Sequence, residues 1–166
     1  MSLLIALWLA LQSSPGEAEA FRHTSPDLLS NVEAVVHLGA ARVAARKFRV
    51  DAADLLAIAW HESRYRFRTR TVESGRRVSC GPMTPEPKQS CVEQDYEPLG
   101  GYEAGAAHLR RWLNSTACNG NRRCALAGYA GGYYMLDKCK GQTCAVVDDF
   151  DRRSQIIHRA LIRASE

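Results

Sequence analysis

The sequence predicts an all-α domain with long loops that are stapled by disulfides. Apolar residues recur at helical spacing in five segments, no run of alternating residues indicates a strand, and six cysteines lie in or beside the loops. The 166 residues correspond to one domain with a short targeting segment, so we expect one hydrophobic core.

Composition and charge exclude several classes of protein. Hydrophobic residues make up 46% of the chain and charged residues 24%, which excludes a disordered chain, a collagen and a multi-span membrane protein. The net charge of +4 favours an acidic partner only weakly. It does not reach the dense basic stripe of a nucleic-acid binder, so we expect no nucleic-acid partner.

The N-terminus has the features of a secretory signal. The apolar run from Leu3 to Leu11 is too short to cross a bilayer but matches a signal-peptide core, and Ala18-Glu19-Ala20 places small residues where signal peptidase reads them. We expect residues 1–20 to be a signal peptide, residues 21–166 to be the domain, and the chain to have no stable membrane span. Because no Lys or Arg precedes the apolar run, the alternative is a first helix that packs on the domain.

Two helices with start signals come next. Ser25-Pro26-Asp27 predicts an N-cap with proline at the first helical position. The apolar stripe of this helix comprises Leu28, Val32, Val35, Val36, Gly39 and Val43. Asp51 is predicted to cap the second helix, DAADLLAIAWHES, with Val50 and Leu55 at the positions of a hydrophobic staple.

Three more helices follow a long connection. The chain from Phe67 to Leu99 holds Gly, Pro, two Cys and several carboxylates, which predicts a functional loop rather than a linker. Periodicity predicts helices from about Tyr102 to Leu113, about Arg122 to Ala130 and about Val147 to Ala164. The side chains expected to point inward are Tyr102, Ala106, Leu109, Leu113, Val147, Phe150, Ile157 and Leu161.

The six cysteines predict three disulfides in an oxidising compartment, and therefore a secreted or periplasmic protein. Six cysteines allow 15 pairings, and loop length favours neighbours. These pairs are Cys80 with Cys91, Cys118 with Cys124, and Cys139 with Cys144. There is no C-x-x-C motif and the five His are scattered, so we expect no metal site.

One carboxylate lies on the apolar side of the second helix. Glu62 follows Ile58 by four residues and Leu55 by seven, so it projects from the apolar stripe. Burial disfavours the charged form of a carboxyl and raises its pKa, which is the condition that a general acid needs near neutral pH. The alternative is that the helix frays at Ser63 and Glu62 simply reaches water.

Four motifs in series resemble those of one superfamily. AIAWHESRYRF, with Glu62, Ser63 and Tyr65, is similar to the Glu-Ser motif of the soluble lytic transglycosylases and goose-type lysozymes. Gly81-Pro82-Met83-Thr84 resembles the family's Gly-Leu-Met-Gln. Two later segments, 103–110 and 125–132, resemble the family's Glu-Ala-Gly-Ala-x-x-Leu-Arg and Ala-x-Ala-x-Tyr-Asn followed by Gly. The resemblance covers about residues 50 to 135.

The resemblance implies a lysozyme-like fold and cleavage of peptidoglycan glycan strands by a monomer without a cofactor. Glu62 is implied to be the catalytic acid and base. The residues implied to bind substrate are Ser63, Tyr65, Gly81, Met83 and Tyr129, with Met83 lining the cleft and the Tyr129 phenol bonded to the acid. Tyr133 can stack on a sugar or pack in the core, whereas Trp112 and His108 are expected in the core or at its edge.

Two departures from the family pattern concern polar contacts. Thr84 stands where the family has Gln and Ala130 where it has Asn, so two contacts with the sugar or with Glu62 are absent or supplied elsewhere. If both are lost, a non-catalytic wall-binding module of the same fold becomes the alternative.

The product depends on the number of carboxylates. The family's lytic transglycosylases need one and form 1,6-anhydro ends, whereas a goose-type hydrolase needs a second carboxylate. Candidates in the loop are Glu73, Glu86, Glu93, Asp95 and Glu97, and the alternative for all five is a solvated loop.

Overall fold

The computed structural model of the protein describes residues 8–9, 11–25, 29–72, 78–85, 90–139 and 144–166. Helices make up most of these residues, which confirms the all-α prediction. The elements in chain order are α1 Pro15–His23, α2 Asn31–Phe48, α3 Ala52–Ser63, β1 Arg70–Val72, β2 Val78–Cys80, α4 Glu93–Tyr96, α5 Pro98–Asn114, α6 Arg122–Lys138 and α7 Ala145–Ser165.

The core lies around α2 and α3. Helix α2 packs against α1, α3 and α5, while α3 packs also against α7, and α6 lies between α5 and α7. Helix α3 is buried continuously from Ala53 to Ala59 because its side chains there are small or apolar, apart from Asp54. This buried rod is the rigid element that carries Glu62 at its C-terminal end.

The start of α2 differs from the prediction. The N-cap is Ser30, not Ser25: its hydroxyl accepts from the Glu33 N–H, and the Glu33 carboxylate accepts from the Ser30 N–H at 2.9 Å. Ser25 lies in a buried bend, and residues 26–28 are outside the described residues. Because the helix starts later, Val32 falls in its first turn and is 73% exposed, whereas the stripe position Val36 is buried as predicted.

The other predicted helices are present, and most of them are longer than predicted. Asp51 caps α3 by accepting from the Ala53 N–H at 2.7 Å. Helices α5 and α7 begin a few residues earlier than expected, and α6 continues to Lys138 across a kink instead of ending near Ala130. Of the predicted inward residues, Leu113 and Leu161 are partly buried and the rest are buried.

A short hairpin in the connecting loop corrects the expectation that no strand is present. Strands β1 and β2 pair antiparallel, with Arg70 opposite Cys80 and Val72 opposite Val78. Strands of three residues are too short for alternation to show in the sequence. The hairpin belongs to the same loop as α4, so the connection has secondary structure of its own.

All three predicted disulfides are present. Cys80 pairs with Cys91, Cys118 with Cys124 and Cys139 with Cys144. Each closes a short loop, so each contributes up to about 2–3 kcal/mol in the chain-entropy description. The first ties β2 to the segment before α4, and these bridges indicate folding in an oxidising compartment.

The N-terminal segment packs on the domain. Leu9 and Phe21 are fully buried, and Arg42 of α2 donates to the Glu17 carboxylate of α1 at 2.9 Å. The expected cleavage after Ala20 would divide α1, and it stays a prediction. No helix in the described ranges combines the length and the apolar composition that crossing a bilayer requires.

A buried histidine lies at the centre of an aromatic cluster. His37 is fully buried, stacks on Phe67 with ring centres 4.2 Å apart, and has Nδ1 2.9 Å from the Tyr102 hydroxyl. Burial lowers the pKa of His37 from 6.5 to about 3, against a smaller upward effect of Tyr65 and Glu33. The imidazole is therefore neutral in the folded protein at any pH near neutrality.

This histidine makes the stability depend on pH. His37 takes up a proton near pH 6.5 in the unfolded chain but stays neutral at this pH in the folded chain. Its contribution to the free energy of unfolding is therefore complete above pH 6.5 and is lost as the pH falls. We expect the free energy of unfolding to drop by about 1 kcal/mol between pH 6 and pH 5 on account of His37 alone. Urea unfolding of wild type and His37→Gln at both pH values checks this. Equal slopes in the two proteins would contradict it.

Candidate functional site

Glu62 lies in the last turn of α3, at the edge of a cleft of about 350 Å³. Helix α3 ends at Ser63, and both Arg64 and Tyr65 have left-handed backbone with φ of 55° and 62°, so the chain turns away directly after the carboxylate. Glu62 is half-buried, which is intermediate between the buried carboxyl and the water-exposed carboxyl that the sequence left open. The cleft is lined by Glu62, Ser79, Thr84, Pro85, His108, Trp112, Gly128, Tyr129, Ala130, Gly131 and Gly132.

Thr84 contacts the carboxylate directly. Its Oγ1 donates a hydrogen bond of 2.6 Å to Oε2 of Glu62. Thr84 is the residue that replaces the Gln of the similar motif, and one polar contact with Glu62 is thus made by the replacement itself. A hydrogen bond donated to a carboxylate favours the charged form and fixes the orientation of the group.

Tyr129 lies beneath the cleft with its hydroxyl committed to a backbone group. The phenol donates to the Met83 carbonyl oxygen at 2.7 Å. Burial, and secondly the negative charge of Glu62, hold the pKa of Tyr129 well above its ordinary value, so the phenol keeps its proton. The expected phenol-to-acid bond is therefore replaced by a bond to Met83, which secures the turn next to Thr84.

Met83 is placed differently from the expectation that it lines the cleft. Its side chain is fully buried against Gly105 of α5, where an added Cβ would overlap the thioether. Gly105, in the third of the four similar motifs, thus leaves the space that the Met83 side chain of the second motif fills. Met83 contributes to the site through its carbonyl oxygen, not through its sulfur.

Aromatic rings form one wall of the cleft. Ring centres are 4.9 Å apart for Tyr129 and His108, 6.5 Å for His108 and Trp112, and 5.2 Å for Trp112 and Tyr133, each pair in edge-to-face geometry. Trp112 can lie this close to α6 because residue 128 is glycine, where a Cβ would overlap the indole. Tyr133 is 68% exposed, so it does not pack in the core, and it adjoins the cleft only through its contact with Trp112.

A kink in α6 shapes the floor of the cleft. Gly132 has φ of 61° and ψ of −151°, a conformation that only glycine adopts readily, and with Gly131 it interrupts the helix. Both glycines and Ala130 line the cleft, so this stretch of backbone is accessible to a ligand.

Besides Met83 and Tyr133, three further predicted site residues do not line the cleft. Ser63 is buried and its Oγ donates to the Ala59 carbonyl at 2.9 Å. Tyr65 is buried with its ring centre 5.5 Å from Phe21 and 5.1 Å from His37. Gly81 forms a turn with φ of 82°, where an added Cβ would overlap the Asp95 carbonyl. In this structure all three shape the surroundings of Glu62.

Three cleft residues were missed by sequence reasoning. The prediction for Trp112 is the core and for His108 its edge, although their i, i+4 spacing beside Gly105 places both on one face of α5. The Trp112 indole N–H donates to Nε2 of His108 at 3.3 Å, and this contact orients the imidazole ring. Ser79 is buried on the cleft side of β2, and a single Ser in a three-residue strand carries no sequence signal for that position.

Of the predicted loop carboxylates, Glu93, Asp95 and Glu97 belong to the described residues, and none of these three lines the cleft. Glu93 pairs with Arg68, and Asp95 accepts from the Val92 N–H at 2.7 Å. Glu73 and Glu86 lie outside the described residues. Among the described residues that line the cleft, Glu62 is the only acid.

The described part of the chain brings together no group of three His, Cys, Asp or Glu side chains that could hold a metal ion. Comparisons with protein-family models, with curated proteins and with solved structures found no match to this chain. The assignment of function therefore depends on the chemistry of the cleft and on the motifs that line it.

Proposed function

We propose that this protein is a lytic transglycosylase that cleaves the β-1,4 bond between N-acetylmuramic acid and N-acetylglucosamine in peptidoglycan. The observation that carries the proposal is Glu62, a half-buried carboxyl at the end of a rigid helix, facing an open cleft with an aromatic wall. A lysozyme-like fold of the domain is part of the proposal, as is the order of the four motifs.

The cleft has the chemical features that a glycan needs. Sugars present apolar faces that stack on aromatic rings and hydroxyls that hydrogen-bond to polar groups. The rings of Trp112 and His108, with Tyr133 beside Trp112, offer apolar faces, and Ser79 and the backbone at Gly131 offer polar groups. A carboxyl at one end of such a cleft is placed to act on the bond between two bound sugars.

One carboxyl can perform both proton transfers. Protonated Glu62 gives its proton to the glycosidic oxygen, the bond from this oxygen to C1 of the muramic acid breaks, and an oxocarbenium-like centre develops at C1. The Glu62 carboxylate then takes the proton of the C6 hydroxyl while O6 bonds to C1. The products are a free 4-hydroxyl on the glucosamine and a 1,6-anhydro ring, no water is consumed, and Glu62 is protonated again.

We place the activity outside the cytoplasm. Three disulfides require an oxidising compartment, and the substrate lies beyond the membrane. Export by a signal peptide at residues 1–20 belongs to this proposal. The mass of the protein recovered from the compartment tests the cleavage after Ala20.

Digestion of purified peptidoglycan by the oxidised protein tests the reaction. We expect muropeptides that are lighter by one water than products with reducing ends, because O6 of the substrate takes the place of water. Mass spectrometry of the soluble fraction measures this. Reducing ends would instead identify a hydrolase with a second carboxylate, and intact glycan from a folded protein would leave a wall-binding module.

A further inference from the structure

Thr84 combines a short hydrogen bond with an unfavourable backbone. Its hydroxyl donates to Oε2 of Glu62 at 2.6 Å, and its φ is 35°, in the left-handed region. A β-branched residue is rarely found there, since its Cβ substituents crowd the backbone. Such a conformation persists where surrounding contacts hold it and is characteristic of functional sites.

Independent contacts hold the turn that carries Thr84. Gly81 donates its N–H to the Thr69 carbonyl at 2.9 Å and packs against the Asp95 backbone in a space that admits no Cβ. The preceding residue, Cys80, is bonded to Cys91. Met83 is anchored twice, by its side chain on Gly105 and by its carbonyl oxygen, which receives the Tyr129 hydroxyl. The turn is therefore fixed from both sides, and the position of the Thr84 hydroxyl is fixed with it.

We infer that Thr84 is a positioning residue that holds Oε2 of Glu62 and so fixes the orientation of the carboxyl that exchanges protons with the glycan. The inference rests on the proposed function and adds to it the group that orients the acid. Thr84 thus supplies a polar contact with Glu62 at the motif position where the similar family carries Gln.

The contact acts mainly in the transition state. When Glu62 gives up its proton, negative charge spreads over both carboxyl oxygens, and the hydrogen bond from Thr84 becomes charge-assisted and stronger. An interaction that is stronger in the transition state than in the bound substrate raises kcat and leaves KM little changed. A hydroxyl that bound only the sugar would act on KM instead.

Thr84→Val tests the inference because valine keeps the branched shape and removes only the donor. We expect kcat on peptidoglycan to fall roughly 10- to 100-fold with KM little changed, and the alkaline limb of the pH–rate profile to move to higher pH. Thr84→Ser keeps a hydroxyl and should restore most of the rate. Thr24→Val, which removes a hydroxyl bonded to the Phe21 carbonyl outside the cleft lining, is the matched control and should leave the rate unchanged.

A titration separates this inference from the proposed function. NMR of ¹³C-carboxyl-labelled protein follows the protonation of Glu62 without substrate, and its midpoint should lie at higher pH in Thr84→Val than in wild type. An unchanged midpoint overturns the inference, whether or not the protein cleaves glycan. A shifted midpoint with an effect on KM alone overturns it also, because Thr84 would then be a substrate contact. If wild type is inactive while the midpoint shifts, only the assignment of the reaction fails.

Discussion

Replacing Glu62 with Gln is expected to lower the rate of glycan cleavage by roughly 100-fold or more. Glutamine preserves the shape of the side chain and can still accept the hydrogen bond from Thr84 through its amide oxygen. It has no proton to give to the glycosidic oxygen and no charge with which to take one from the C6 hydroxyl. Initial rates of release of soluble muropeptides from purified peptidoglycan measure the loss.

A matched substitution separates catalysis from a general effect of charge. Glu103→Gln also removes one negative charge by an isosteric change, in an ion pair with Lys47 at 2.7 Å outside the cleft lining. It should retain the wild-type rate. Both variants should bind insoluble peptidoglycan as wild type does, since the aromatic wall is unchanged. A folded Glu62→Gln protein that cleaves at the wild-type rate would transfer the acid role to another residue.

Replacing Asp54 with Ala is expected to cost about 3 kcal/mol of unfolding free energy. Asp54 is 3% exposed in the first turn of α3. Its Oδ2 accepts from Arg122 Nε at 2.8 Å, and its Oδ1 accepts from Ser154 Oγ at 2.7 Å and from a second Arg122 nitrogen. The pair raises the pKa of Arg122 above its ordinary value, chiefly through the Asp54 hydrogen bonds. Removing the carboxylate leaves the Ser154 hydroxyl and two nitrogens of Arg122 without their buried acceptor.

Asp148→Ala provides the comparison for this prediction. Asp148 also accepts from an arginine, Arg123 at 2.6 Å, but both side chains are about half exposed. Exposed pairs contribute less than about 1 kcal/mol, so this variant should unfold near the wild-type urea concentration at pH 7. Similar losses in the two variants would mean that the buried contacts joining α3, α6 and α7 are no stronger than surface ones.

Local signals account for what could be predicted. Asp51 caps α3 through an atom two residues away, and the short loops between cysteines make neighbouring pairs the favoured ones. The same reasoning places Glu62 on the apolar side of its helix, since helical spacing depends on nearby residues alone. Ser25 shows the limit of such signals. Its N-cap pattern is present, but Ser30 has the complementary Glu33 and the helix starts there.

Contacts between distant segments account for the features that could not be predicted from the sequence. Thr84 and Glu62 are 22 residues apart, Gly128 and Trp112 belong to different helices, and Met83 is buried because Gly105 leaves room for it. The helical periodicity of the sequence does not indicate which residues of different segments will be in contact. Their energies depend on how two elements are oriented, which is known only when all the elements have packed.

The sequence by itself therefore determined the helical class and the presence of one carboxylate in an apolar stripe, and it favoured the neighbouring cysteine pairs that the structure contains. These follow from helical periodicity, from the low entropy cost of closing short loops and from the cost of placing a charge against the core. The tertiary structure decided which side chains meet that carboxylate. It placed Thr84 on Glu62 and the Tyr129 hydroxyl on the Met83 carbonyl, because close packing selects among contacts that are equally allowed by local geometry.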